Sequence, residues 1–194
     1  MRRSRGGRRA ACALGWNLAL ALLIAGGGLA RPAMAEPTWW LSLGGLGAEE
    51  TGRLGNILDE PEAGGFLGAG WHLLRLGSLL LALDVEGSGA RGHAVLGLEE
   101  DTVSIWRGRV GLRVTWWDED RGWPLVPYLR GGAVYRKDEG RFVDDEGAGW
   151  FAGGGLDWRL AEHWAVGPFV SYEEASLSIP SRTWLFGVGL TYSR

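Results

Sequence analysis

The chain has 194 residues, a formal net charge of −3 and a single cysteine. That length suits one domain, and one cysteine rules out a disulfide framework. An acid excess argues against nucleic acid as a partner.

Residues 1–35 read as a cleaved signal peptide. Arg2, Arg3, Arg5, Arg8 and Arg9 form a basic n-region, Leu14 to Leu29 is mostly apolar, and Ala33-Met34-Ala35 has the small-x-small form cut by a signal peptidase. Cleavage between Ala35 and Glu36 leaves residues 36–194 as the working domain. The apolar run is too short and too Gly-rich for an anchor helix. Cys12 precedes that run, where a lipoprotein cysteine cannot sit. All six arginines of residues 1–35 leave with the signal. The remaining 14 basic residues face 23 acidic ones, a net charge of −9.

Beyond residue 36 no apolar run is long enough for a membrane helix. What recurs is period-two alternation, the mark of a strand with two unlike faces. Eight such segments are predicted, at about 38–47, 65–74, 79–88, 103–117, 125–135, 150–158, 164–172 and 183–193. Short connections (Arg75–Ser78, Asp118–Pro124, Arg159–His163) alternate with longer ones (Ala48–Gly64, Gly87–Thr102, Arg136–Gly149, Glu173–Arg182). Tight turns at one end and long loops at the other, with an even strand number, suit a transmembrane β-barrel.

The fourth segment shows its two faces plainly. Trp106, Val110, Leu112, Val114 and Trp116 oppose Arg107, Arg109, Arg113 and Thr115. A soluble barrel would turn the apolar face inward. The positions of the aromatics argue for the reverse. Trp39, Trp40, Trp71, Trp116, Trp117, Tyr128, Trp158, Trp164 and Tyr192 fall at the turn-side strand ends. Phe66, Trp106, Tyr135, Trp150, Tyr172 and Trp184 fall at the loop-side ends, and the strand middles carry Leu, Val, Ala and Gly. Amphipathic rings collect in this way at the two water–lipid boundaries.

Three stretches carry a family likeness: Tyr128-Leu129-Arg130-Gly131-Gly132-Ala133-Val134-Tyr135, Gly153-Gly154-Gly155-Leu156-Asp157-Trp158, and Gly187-Val188-Gly189-Leu190-Thr191-Tyr192. With them, the chain from residue 36 onward resembles the OmpA/OmpX-type eight-stranded outer-membrane β-barrels. The resemblance implies an all-β, antiparallel up-and-down barrel in a bacterial outer membrane, inserted by the barrel-assembly machinery. It also implies a monomer surrounded by outer-membrane lipid and lipopolysaccharide. Family members usually end in an aromatic residue read by that machinery. This chain ends in Ser193-Arg194, with Tyr192 as the last outward aromatic.

An eight-stranded barrel has just enough interior for side chains. The predicted fill is Asp84, Glu86, Arg107, Arg109, Arg113, Arg130 and Asp157, paired by depth because a lone buried charge is costly. Asp84, Arg113 and Arg130 share one layer, with Glu86 and Arg109 in the next. Whether Asp84 meets Arg113 or Arg130 depends on strand stagger.

The predicted loops carry Glu49, Glu50, Asp59, Glu60, Glu62, Glu99, Glu100, Asp101, Asp138, Glu139, Asp144, Asp145, Glu146, Glu173 and Glu174. They read as a solvated acidic surface. Carboxylates of this kind can also hold divalent cations that bridge to lipopolysaccharide phosphates, although the spacing matches no defined calcium loop. The three histidines, His72, His93 and His163, form no H-x-S motif and no lipid-facing Ser/His pair, as a lipid A-modifying enzyme would need. No His or Cys spacing suggests a metal centre, and no cofactor is expected. The expected function is a structural or interaction role that presents acidic loops. The alternatives are a narrow porin-like channel and, last, an enzyme acting on lipid A.

Overall fold

The computed structural model describes residues 38–51, 62–96, 99–117, 124–141, 143–178 and 180–194. The predicted signal peptide, its Ala35/Glu36 cleavage site and Cys12 lie outside these residues, as do Asp59 and Glu60.

Eight strands form one closed antiparallel barrel in chain order. They are β1 (Trp39–Glu50), β2 (Glu62–Leu76), β3 (Leu79–Leu96), β4 (Glu99–Trp116), β5 (Leu125–Glu139), β6 (Asp144–Arg159), β7 (Trp164–Ala175) and β8 (Ser181–Ser193). β1 pairs with β8 and closes the sheet. Closure satisfies every strand edge, which a sheet needs if it is to stand in lipid.

The register fixes the shape. Directly paired residues lead from Trp39 through Trp71, Leu83, Leu112, Gly131, Ala152, Tyr172 and Trp184. The path returns to β1 at Glu49, ten residues further along. A stagger of ten over eight strands tilts them by about 40° and leaves a lumen only wide enough for side chains.

The apolar face looks outward. Leu41, Leu43, Leu67, Val110, Leu112, Leu129 and Val170 are exposed, whereas Arg107, Arg109 and Arg113 are buried. Within one strand the outward aromatics sit eight to ten residues apart, as with Trp150 and Trp158 in β6 and Trp106 and Trp116 in β4. At the strand rise and this tilt they stand about 20–25 Å apart, close to the apolar band of an outer-membrane barrel.

On the turn side, β2 and β3 are joined by Gly77-Ser78 alone. Gly77 has φ +63°, and among the described residues no non-glycine has a positive φ, so the turn is type II′. A register shift between His72 and Leu74 leaves Leu73 as the extra residue of a bulge. Leu73 and Leu74 therefore both face outward, at 59% and 50% exposure.

The loop side differs from the sequence expectation. The described parts of 87–102 and 136–149 are largely strand, not loop, and so are the ends of 48–64 and 173–182. β3 continues five residues past Arg91, its last residue paired with β2, and pairs there with β4 alone. Above the membrane both faces of a strand can be polar, so the apolar alternation that marks strands vanishes. β4 and β6 rise about 15 Å beyond the upper aromatics, by the same strand rise and tilt.

Candidate functional site in the barrel lumen

Inward positions alternate with lipid-facing ones on every strand, so the lumen receives one side chain in two. At the turn-side end Arg113 reaches from β4 to Asp157 on β6, Nη2 to Oδ2 at 2.5 Å. Its Nε donates to Thr115 Oγ1 at 3.2 Å. The guanidinium lies 3.6 Å from the Tyr128 ring centroid and 5.0 Å from that of Trp40, a cation–π arrangement. Gly70 has no side chain where the Trp40 ring passes, and a Cβ there would collide with it.

One layer up, Arg130 answers the stagger question. Its Nη1 lies 3.7 Å from Asp84 Oδ2 and 2.6 Å from Glu86 Oε2. Arg109 takes the other oxygen of Glu86 at 3.0 Å and reaches Glu173 at 2.7 Å. Glu173 also accepts from Arg107 Nε at 3.2 Å, and Arg107 Nη2 donates to Glu62 at 2.7 Å. At the loop-side mouth Arg136, fully buried, bonds Asp138 (2.7 Å), Glu50 (3.1 Å), Ser181 (2.6 Å) and Thr183 (2.9 Å). Ser181 donates in turn to Glu50.

An apolar layer crosses this ladder. Leu46, Ala48, Ala90, Phe169 and Leu185 cluster with Phe66 and Tyr128 packed against them. These residues come from six strands and meet across the lumen, so the described interior is filled.

All seven residues assigned to the interior from sequence face inward, and each pairs with another of the seven or with a further carboxylate. Arg113 pairs with Asp157 alone. Sequence reasoning missed half of the ladder. Glu50, Glu62, Asp138 and Glu173 are luminal and not part of a solvated loop surface, and Arg136, expected in a loop, is luminal too. The signal was present: Arg136 and Asp138 continue the even-numbered inward set of Val126, Arg130 and Val134.

Of the aromatics assigned to the girdles, Trp39, Trp71, Trp106, Trp116, Trp150, Trp158, Trp164, Tyr172, Trp184 and Tyr192 lie on outward positions of their strands. Tyr128 does not. It faces inward under Arg113, as Trp40, Trp117 and Phe66 also face inward. Parity decides these cases: outside a bulge, neighbours in a strand face opposite sides, so Trp39 and Trp40 divide between the two faces, as do Trp116 and Trp117.

Among the described residues no three Asp, Glu, His or Cys side chains converge as metal ligands. His72 lies against Trp40, with ring centroids 5.2 Å apart, and His163 is in the exposed β6–β7 turn, 4.0 Å from Glu162.

No family model and no curated protein matches the chain. Solved structures do. Neisserial surface protein A aligns over 80% of this chain and 97% of its own, with TM-score 0.56 and 14% identity. The outer membrane protein OprG from Pseudomonas aeruginosa aligns over 84% and 98%, with TM-score 0.54 and 12% identity. Ail, the attachment invasion locus protein of Yersinia pestis, solved with the heparin analogue sucrose octasulfate, aligns over 81% and 100%, with TM-score 0.53 and 16% identity. At these identities the likeness is one of fold.

Proposed function

We propose, on the premise that this chain is an eight-stranded outer-membrane β-barrel of the OmpA/OmpX type, that it serves as a rigid platform. It holds an acidic β-wall above the outer leaflet for interaction with a partner. The observation that carries this reading is the height of β3–β6 beyond the upper aromatics. There the outward residues Glu139, Asp144 and Glu146 are exposed, on strands stiffened by the Arg136 network beneath them. A preordered surface loses little entropy on binding. Its sign suits a cationic partner, in contrast to the sulfated sugar analogue solved with Ail.

The filled lumen favours this reading over a channel, and the histidine positions offer no support for lipid A chemistry. Of the outward cations, Lys137 and Arg182 pair with Glu139 and Glu174, which leaves Arg91 the better placed to meet lipopolysaccharide phosphates. The barrel needs no second copy to close, which agrees with a monomer. Divalent cations at Glu139, Asp144 and Glu146 would moderate the same acidic surface.

The test is retention of cells displaying the protein on polycation-coated and polyanion-coated surfaces. Wild type should raise retention several-fold on the polycation only, and the triple variant Glu139→Lys/Asp144→Lys/Glu146→Lys should lose that gain. Equal retention by the triple variant would remove the interaction reading.

A further inference from the structure

The turn-side end of the lumen holds a feature that the platform role does not use. Below the Arg113–Asp157 pair is a half-open cup of about 50 Å³, lined among others by Trp40, Thr115, Trp117, Val126 and Trp164. Its roof is closed. Arg113 is pinned between the Tyr128 and Trp40 rings, and Tyr128 packs on the apolar layer above. Its walls are mostly apolar, with Trp40, Trp117 and Val126 no more than 6% exposed. Its rim carries Glu162 and Arg159, whose guanidinium lies 3.3 Å over the Trp117 ring. The cup opens away from the acidic wall, on the side of the tight turns.

Three properties define what would fit. Two arginines face two carboxylates around the cup, so neither sign of ion is favoured, and taking an ion out of water there would go uncompensated. The roof pair sets a donor beside an acceptor, which complements a carboxamide better than any single-sided group. The volume corresponds to about four small heavy atoms, at roughly 10–15 Å³ for each water-sized position.

We propose that this cup is a binding site for a small uncharged amphipathic molecule. A carboxamide-like head meets Arg113 and Asp157, and a short apolar body lies between the Trp40 and Trp117 indoles. The ligand would come from the aqueous phase on the turn side, and the site works independently of any partner on the acidic wall.

Propionamide, propionate and propylammonium have nearly the same shape and differ in charge. Each is titrated into the protein in lipid nanodiscs while the indole N–H signals are followed by NMR. Propionamide should give saturable shifts at Trp40 and Trp117 with a millimolar Kd, and both ions should bind at least tenfold more weakly. Val126→Phe, which fills the cup, should abolish the shifts while the outward indoles stay in place; if that variant does not fold, Ala165→Leu serves the same purpose. Equal binding of either ion overturns the proposal. So does a non-saturating response shared with Trp116 and Trp158, which would report partitioning into lipid, or no response at Trp40 and Trp117.

Discussion

Arg109 Nη2 and Glu173 Oε2 meet at 2.7 Å, joining β4 to β7 across the lumen. Neither strand pairs with the other in the sheet. The bond therefore braces the barrel across its diameter. Glu173 also holds Arg107, so one carboxylate bridges two buried guanidinium groups, whose other partners are Glu62 and Glu86.

Removing that carboxylate should be costly. Glu173→Ala leaves Arg107 to Glu62 alone and Arg109 to the Glu86 it shares with Arg130, in a place that water reaches poorly, and the expected loss is about 3 kcal/mol. Glu173→Gln keeps an acceptor and should lose less. A double-mutant cycle with Arg109→Met should return a coupling of about 1–3 kcal/mol, read from urea unfolding in lipid vesicles. Additive single effects would mean that the two side chains do not act as a pair.

Phe169 tests the sealed lumen. It is 6% exposed, meets Phe66 edge-on with centroids 5.2 Å apart, and lies 5.1 Å from the Arg130 guanidinium. Phe169→Ala takes a ring from the layer that crosses the barrel and should cost about 3–5 kcal/mol. In planar bilayers the wild-type protein should show no unitary conductance, while the variant shows small, flickering events. Stable conductance steps from wild type would favour the channel reading instead.

Trp116 and Trp117 are adjacent and should report opposite environments. Trp116 is 54% exposed on the outer face, whereas Trp117 is 6% exposed beside Leu80 and Val126. With 5-fluorotryptophan labelling, a lipid spin-labelled near the interface should broaden the Trp116 fluorine signal and spare that of Trp117. Equal broadening would contradict the outward-apolar orientation on which the membrane assignment stands.

How far this fold could be read from its residues varied with depth in the membrane. In the bilayer one face must be apolar and the other must fill the lumen, so Trp106 to Trp116 and Trp184 to Tyr192 declared their strands and faces. Above the bilayer that contrast is gone. Glu62, Arg136, Asp138 and Glu173 stand among other polar residues, and alternation of charge with charge looks like a loop. Pair partners were hidden for another reason. Arg130, Arg113 and Asp84 read as one layer, yet Arg130 meets Asp84 and Glu86 above the Arg113–Asp157 pair; a stagger of ten over eight strands is a property of the closed sheet, and no local sequence encodes it. The bulge at Leu73 is equally silent, since Leu73 and Leu74 both suit lipid.

The turn at Gly77 offers the most local test. Its φ of +63° suits glycine, and a Cβ built there meets nothing within 4 Å. Any penalty for a side chain is therefore backbone strain, free of steric contact. Gly77→Ala should cost about 1–2 kcal/mol, and a β-branched residue should cost more because its side chain is stiff near the backbone. The loss should fall on the β2–β3 hairpin, whose end is otherwise tied by Arg75 Nε to the Gly77 carbonyl at 2.9 Å and by Trp117 N to the Ser78 carbonyl at 2.7 Å. Hydrogen exchange should therefore rise at Leu76 and Leu79 and stay unchanged at Phe151 and Val170, on β6 and β7 across the barrel. An Ala variant as stable as wild type, with no local change in exchange, would show that the turn does not hold a positive φ.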